Sequence, residues 1–484
     1  MIRRVLHGVS LASAIRRCPR SVLLGTRLLK NDKSELFDPW AGQERRYSLS
    51  FSRAASAAAA LNDGQPRPTS ADVPKPPVPQ PLESPPASQL DDRKVSVGWD
   101  SSTWSRFHHI WLRDHCRCPQ CFHQVTMQRL VNTFEIPSDI KPSHVESTPD
   151  GLKVVWPSSP PHVSVYPWHW LRRNSYEPVI PMDGPKHEKV LWGSKIAQDP
   201  PTVAYEYVMS DERGLLKWLQ KIDTFGFCFV SDVPPNSEAT EELSRKIGRI
   251  RETQYGSFWD FTSDLAKGDT AYTTMALAAH TDTTYFTDPC GLQIFHLQSH
   301  TDGTGGASLL VDGFYVASIL KELHPEVYEL LSTTRVPTHA AGEPASLYRP
   351  TPLAGYPILN LDPVTAELLL VRYNNDDRSV LNSMVAGDME KWYDALRVWN
   401  KFLTSPDSEY WVQLTPGTVV AIDNHRVLHG RSAFDGKRRM CGAYIDFDEY
   451  RSKLAVLTEK FRTDSVSNAA AQLVNGRSGW STDF

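Results

Sequence analysis

AAHTDTTYFTDPCGL, residues 278–292, is the stretch whose reading decides the fold. His280 and Asp282 stand one residue apart within it, so an imidazole and a carboxylate can leave one face of a strand and turn toward a common point. Far downstream, DNHRVLHGR (423–431) offers a third donor. Two His and one carboxylate on one face of an octahedral ion leave the opposite face open, the arrangement of non-haem Fe(II) oxygenases. A lone His-X-Asp is weak, because two polar residues at that spacing occur in many surface turns. Here an apolar strand, CGLQIFHL (290–297), follows it, and another, VVAID (419–423), leads into the second motif. Within that motif His425 and His429 both fit an extended segment; Gly430, which permits close backbone approach, favours His429. Arg438 and Arg439 open the next strand, and a guanidinium grips the distal carboxylate of a dicarboxylate with two parallel hydrogen bonds. The triad and an arginine together point to an oxygenase.

Working outward, the 484-residue chain has room for two or three domains, and 40% hydrophobic with 22% charged residues is the composition of a soluble globular protein. No apolar run approaches the roughly 20 residues needed to span a bilayer, so no membrane partner is expected. A net charge of −4 gives no reason to expect nucleic acid as a partner. Residues 1–30 carry Arg and Lys but no acid, with Ile2, Val5, Leu6, Val9, Ala12 and Ile15 on one helical face. That composition predicts a mitochondrial transit peptide over residues 1–47 and a matrix location. Arg45-Arg46-Tyr47-Ser48 resembles an import cleavage site. Residues 48–93 are Ala- and Pro-rich, including PKPPVPQPLESPP (74–86), and read as a disordered linker.

Order is predicted to resume near Lys94. A short, aromatic, strand-rich domain is expected over 94–185, with GLKVVWP (151–157) as a strand and HVSVYPWHWLRR (162–173) near its end. A second domain, 190–460, opens with helices over 211–226 and 237–250. Short strands then follow, interrupted by two helical pieces, VASILKELHPEVYELLSTT (316–334) and DMEKWYDALRVWNKFL (388–403). The expected fold class is mainly β with flanking helices, a jelly-roll (double-stranded β-helix) catalytic domain beside a small zinc-binding, β-rich N-terminal domain. Residues 461–484 read as a mobile C-terminal tail.

Seven cysteines are too few and uneven for a disulfide scaffold, and Cys116, Cys118 and Cys121 crowd into six residues. Tetrahedral zinc is their natural occupant given a fourth ligand, for which His115, His123, His162 and His169 are candidates. A zinc adaptor without enzymatic activity is the rival reading, and it predicts that His280, Asp282 and His429 are dispensable.

The segments YGSFWDFTSDLAKGDTAYTT (255–274), HTDTTYFTDPCGLQIFH (280–296), GTGGASLLVDGFY (303–315), VRYNNDDR (371–378), AIDNHRVLHGR (421–431) and CGAY (441–444) resemble, in order, the trimethyllysine and γ-butyrobetaine dioxygenase family of TauD-like Fe(II)/2-oxoglutarate oxygenases. The resemblance runs from about Trp104 to Tyr450. It implies His280, Asp282 and His429 as iron ligands, leaving His425 at a variable position. It implies Arg438, rather than Arg439, on the C5 carboxylate of 2-oxoglutarate, with the Ser308 hydroxyl donating to the same group where Thr is common. Tyr255, Trp259 and Tyr272 match the family's aromatic cage, and Tyr444 a further tyrosine; aromatic faces suit a quaternary ammonium, which has no N–H to donate.

Asp269 stands where a relative acting on γ-butyrobetaine has Asn, and its charge suits the α-ammonium of trimethyllysine. Asn374 and Asn375 match substrate-contacting positions. The fourth zinc ligand implied by the family is His162. The implied reaction is C3 hydroxylation of trimethyllysine, the first step of carnitine biosynthesis, with O2 as co-substrate, ascorbate dependence and a homodimer. γ-Butyrobetaine hydroxylation is the alternative.

Overall fold

The computed structural model describes residues 85–180, 188–262, 273–340, 355–382 and 384–465. The expected transit peptide lies outside these residues, as do Asp269 and Tyr272. No helix among the described residues is long and apolar enough to cross a membrane.

Order begins earlier than the composition predicts. Strand β1 (Ala87–Leu90) pairs antiparallel with β2 (Lys94–Gly98), which pairs with β3 (Trp104–His108), so the final residues assigned to the linker belong to a sheet. Pairing with β2 satisfies a backbone whose small polar side chains alone give no strand signal. Helix α1 (His109–Asp114) follows β3. A second antiparallel sheet then forms from β4 (His144–Thr148), β5 (Gly151–Trp156) and β6 (His162–Tyr166), and α2 (Trp168–Arg173) closes the region. Alternation along β2, β3 and β5 sends Val95, Val97, Phe107, Leu152, Val154 and Trp156 into one core with Leu112 and Leu171. The polar edges of this core are satisfied: Trp156 Nε1 donates to Ser164 Oγ at 2.9 Å, and Tyr166 Oη donates to the Leu112 carbonyl.

The second region begins with β7 (Thr202–Ala204), α3 (Tyr205–Ser210) and α4 (Glu212–Phe225). Asp211 caps α4, accepting the Arg213 N–H at 2.8 Å, and Gly226 ends it at φ +77°, where a side chain would be strained. Next come β8 (Phe227–Ser231), α5 (Ser237–Ile247), β9 (Phe258–Thr262), β10 (Leu277–His280), β11 (Leu292–Thr301) and β12 (Ser308–Asp312). The expected single helical piece 316–334 is two helices, α6 (Gly313–Leu323) and α7 (Pro325–Thr333). Pro325 has no N–H and starts a new helix rather than continuing the old one. The chain continues through β13 (Leu359–Leu361), β14 (Leu368–Val371), α8 (Met389–Leu403), β15 (Tyr410–Val412), β16 (Val419–Asp423), β17 (Val427–Arg431) and β18 (Lys437–Ile445). Helix α9 (Phe447–Ser465) extends past the expected start of the tail.

Two sheets make the barrel: β7-β8-β16-β11-β18-β9, and β10-β17-β12-β15. Period-two alternation explains their faces. Leu292 and Ile294 of β11, with Val419 and Ala421 of β16, face outward into a core with Trp218, Leu219 and Ile222 of α4, Leu243 of α5 and Tyr450 of α9. Leu309 and Val311 of β12 and Leu428 of β17 face a second outer core built with α6, α7 and α8. The opposite faces, including Phe229, Val420, Ile422, Leu310 and Met440, meet between the sheets. The result is a β-rich jelly roll with helices outside both sheets. Arg426, in the turn before β17, is fully buried against fully buried Asp312 at the end of β12, with Nε and Nη2 donating to its two oxygens at 3.1 and 2.8 Å. The same guanidinium donates to the carbonyls of Thr224 and Val190, so one side chain ties three segments to the turn that carries His429.

Candidate functional site

Strand pairing brings the two sequence motifs together. His280, the last residue of β10, is the direct partner of His429 on the inner face of β17, and their rings lie 4.4 Å apart between centroids. The chain turns immediately after Asp282, with Thr283 at φ +55° and its Oγ1 accepting the Cys290 N–H at 2.9 Å. A β-branched residue in the left-handed region is strained, and the strain sits next to a candidate ligand. His280 Nε2 lies 3.3 Å from Asp282 Oδ1, and His429 Nε2 lies 3.8 Å from Asp282 Oδ2. One donor atom from each of the three falls within 4.8 Å of the others.

The surroundings prepare these groups for a cation. His280 Nδ1–H donates to the Ala278 carbonyl at 2.7 Å, so Nε2 is the ring nitrogen turned toward Asp282. Desolvation opposes charge on His280, but the Asp282 hydrogen bond and charge outweigh it and push its pKa up to about 9. Desolvation and the nearby His280 push His429 down to about 3, while its two imidazole neighbours hold Asp282 well below the carboxylate range despite burial. A carboxylate between two imidazoles is a donor set that binds a divalent transition metal. Tyr444 Oη donates to Asp282 Oδ2 at 2.7 Å, as does Gln293 Nε2 at 2.5 Å. His425 is elsewhere: its Nε2 meets the Pro289 carbonyl at 3.1 Å and its ring stacks on Phe447.

The triad opens into a cavity between the sheets. At one end lie Ser308 of β12 and Arg438 of β18. Arg438 is 6% exposed, and its buried Nε has no hydrogen-bond partner. Burial, with the neighbouring Arg431 charge, pushes its pKa down to about 10. Gly306, at φ +69°, lies against this arginine; a Cβ there would stand 3.3 Å from Arg438 Nε. A buried guanidinium with a spare donor fits an incoming carboxylate. Arg439, by contrast, points outward into a bidentate pair with Asp260.

Tyr255, Trp259 and Tyr444 line the cavity wall, joined by Tyr285, Phe295, Phe229 and Phe261. Gly442 stands directly across from Trp259 in the β18–β9 pairing, and the indole fills the space that a side chain would need. Asn374 lines the cavity as expected, whereas Asn375 does not: it is exposed and borders neighbouring depressions. The Asn374 side chain accepts the N–H groups of Asp376 and Asp377, and this turn carries Asn375 away from the cavity.

The taurine catabolism dioxygenase TauD, TfdA family matches residues 188–444, and the γ-butyrobetaine hydroxylase-like N-terminal family matches 87–172. The chain belongs to the TauD, TfdA dioxygenase family. It is 45% identical over 379 residues to a trimethyllysine dioxygenase of Neurospora crassa, covering 71% of this chain and 79% of that protein. It is 43% identical over 356 residues to the mitochondrial trimethyllysine dioxygenase of Homo sapiens, covering 72% and 82%. Identity to a γ-butyrobetaine dioxygenase of Pseudomonas sp. is 33% over 384 residues, covering 78% and 97%.

In this dioxygenase a second cluster lies in the N-terminal region, where three cysteines on the segment after α1 meet a histidine of β6. His162, the first residue of β6, presents Nε2 to Cys116, Cys118 and Cys121 Sγ at 3.3, 3.6 and 3.6 Å. His115, His123 and His169 are not in the group. Burial pushes the Cys116 thiol up to about 12, so a thiolate there needs a cation beside it.

Residues that the sequence reading missed are those that hold others: Gln293 and Asn424 on Asp282, Asp376 and Asp377 on the cavity wall, and Tyr285. Gln293 gave no distinctive signal, since β11 also carries His296, Gln298 and His300.

Proposed function

We propose that this dioxygenase hydroxylates C3 of N6,N6,N6-trimethyllysine using Fe(II), 2-oxoglutarate and O2. The observation that carries the reading is a His280–Asp282–His429 donor set opening into a cavity with aromatic walls and a buried arginine at one end. Bound iron would supply O2 activation coupled to decarboxylation of 2-oxoglutarate to succinate. Arg438 receives the distal carboxylate of the co-substrate, with the Ser308 hydroxyl beside it. Tyr255, Trp259 and Tyr444 offer faces to the quaternary ammonium. The Tyr444 hydroxyl meanwhile holds the Asp282 carboxylate by its hydrogen bond to Oδ2. Apolar Phe229, Phe261 and Phe295 exclude water from the bond to be broken.

The expectations of domain limits, with a transit peptide over 1–47 and a matrix enzyme thereafter, belong to this reading. The mitochondrial designation of the Homo sapiens relative supports the compartment. Carnitine biosynthesis as the setting, ascorbate as reductant and a homodimer belong to the same reading. The four-ligand cluster Cys116–Cys118–Cys121–His162 leaves no open position, so its zinc would be structural. The test is succinate release from the iron-loaded protein, with trimethyllysine and γ-butyrobetaine compared in parallel. Turnover coupled to trimethyllysine supports the reading; preference for γ-butyrobetaine would replace the substrate and keep the chemistry.

A further inference from the structure

Behind the cavity wall that carries Asn374 lies a second, small pocket of about 20 Å³, room for one body the size of a water molecule or a halide ion. Its lining comes from the segment between Arg372 and Arg378, from Thr284 beside the Asp282 turn, from Tyr356 and from Trp392 of α8. Four polar atoms of these residues are buried with no hydrogen-bond partner: Arg372 Nε, Arg378 Nε, Trp392 Nε1 and Thr284 Oγ1. Arg372 is 9% exposed, Thr284 2% and Trp392 0%. Buried donors are rarely left unmet, so a group of them around one pocket calls for an acceptor there.

The charge balance says what kind of acceptor. Arg372 spends its other donors on backbone: Nη1 on the Thr284 and Phe286 carbonyls at 3.1 and 2.6 Å, and Nη2 on the Thr287 carbonyl at 2.7 Å. Its guanidinium lies over Tyr356, 3.9 Å from the ring centroid, and that of Arg378 lies over Trp392 at 5.4 Å. Ring faces ease the burial of a cation but supply no counter-ion. Burial pushes the Arg372 pKa down to about 10, which leaves it charged at neutral pH. No carboxylate lines the pocket. Asp376 lines the active cavity instead, and Asp288 is paired with Arg251 at 3.6 Å. A water would accept two hydrogen bonds and bring no charge. Three N–H donors, a hydroxyl able to donate and two guanidinium groups suit a negative ion better.

We propose that this pocket binds a small monovalent anion of the halide class between Arg372 and Arg378. The anion ties the segment after β14 to α8 and to the Thr284 turn, and so braces from behind the wall that carries Asn374. Its size excludes phosphates and dicarboxylates, which makes it a site apart from the Arg438 end of the active cavity. The assignment does not depend on which substrate the enzyme hydroxylates.

The test is two measurements on the full-length protein. Wild-type crystals grown in sodium bromide are expected to show an anomalous bromine peak between Arg372 and Arg378. In solution, melting midpoints are compared in sodium chloride and in sodium gluconate at equal ionic strength, gluconate being too large for the pocket. A saturable rise with chloride is expected for the wild type, because an ion bound only by the native state stabilises it. R378Q keeps a long polar side chain without the charge, and is expected to need at least about tenfold more chloride for the same rise. K401Q, which removes an exposed charge from α8, is expected to respond as the wild type does. Water in place of bromide, a bromine peak at Arg438 alone, equal wild-type midpoints in the two salts, an R378Q response matching the wild type, or an equal loss in K401Q would each overturn the proposal. The crystallographic measurement needs no variant, so it decides the matter even if R378Q does not fold.

Discussion

Asn424 brackets Asp282: its Oδ1 accepts the Asp282 N–H at 2.8 Å, and its Nδ2 donates to the Asp282 carbonyl at 3.1 Å. The same Nδ2 reaches the Cys290 carbonyl at 2.9 Å, so one fully buried amide in the β16–β17 turn fixes both ends of the segment from Asp282 to Cys290. His429 lies on the strand that leaves this turn. The backbone of one candidate ligand is thus set by the loop that delivers another. Asn424→Ala is expected to weaken iron binding by about tenfold to a hundredfold, the range for losing a group that orients a ligand. Iron titration followed by tryptophan fluorescence reads it. Unchanged affinity would mean that the pairing of β10 with β17 is enough to aim Asp282.

Tyr444 combines two duties that a single substitution separates. Tyr444→Phe keeps the ring on the cavity wall and removes the hydrogen bond to Asp282 Oδ2. The expected result is weaker iron binding, by about tenfold, with KM for trimethyllysine little changed. A rise in KM at unaltered iron affinity would show the hydroxyl serving the substrate instead.

His296, on the outer face of β11, gives a pH dependence remote from the metal. Its Nδ1–H donates to Thr240 Oγ1 at 2.7 Å, and its Nε2 accepts the Gly417 N–H at 3.1 Å. This suits only the neutral ring, and burial pushes its pKa down to about 4. The unfolded chain, with an ordinary imidazole near 6.5, takes up this proton more readily than the folded one. Stability from the neutral ring is therefore complete above about pH 6.5 and is lost as pH falls toward 4, by up to about 3 kcal/mol. Denaturant melts between pH 7 and 4.5 check it; His296→Gln should flatten that slope relative to the wild type.

Arg426 and Asp312 form a fully buried ion pair whose remaining donors are satisfied by the Thr224 and Val190 carbonyls. Asp312→Asn leaves the guanidinium charge buried without its counter-ion. The expected destabilisation is about 3–5 kcal/mol, read from urea midpoints. A shift below 1 kcal/mol would indicate that water reaches the pair.

Cys118→Ser tests the proposed zinc cluster independently of catalysis. The variant is expected to lose bound zinc by elemental analysis and to melt at lower temperature, because a structural metal contributes folding free energy. Iron content should be retained, since His280, Asp282 and His429 form a separate donor group. Full zinc retention in the variant would remove Cys118 from the ligand set.

The sequence by itself determined what could be encoded in short range. The His280-X-Asp282 spacing, the downstream His429, the close-set Cys116, Cys118 and Cys121, and the alternating apolar strands were all legible, because ligand chemistry and period-two burial are local properties. Proximity across the chain was not legible. The residues alone left His115, His123, His162 and His169 open and only the family resemblance implied His162; that it meets the three thiols follows from β6 pairing with β5 and packing beside α1. That His425 turns to Pro289 and Phe447 follows from the tight turn before β17.

The groups that hold Asp282, namely Asn424 and Gln293, escaped the sequence reading for a common reason. An amide or carboxylate looks the same in any loop, and its role exists only when a distant strand places a partner within hydrogen-bond reach. Asn375 shows the converse, since it adjoins a cavity residue in sequence and is swung outward by the Asn374 turn. Sequence chose the chemistry; strand pairing, which sets distances between residues far apart in the chain, decided the geometry.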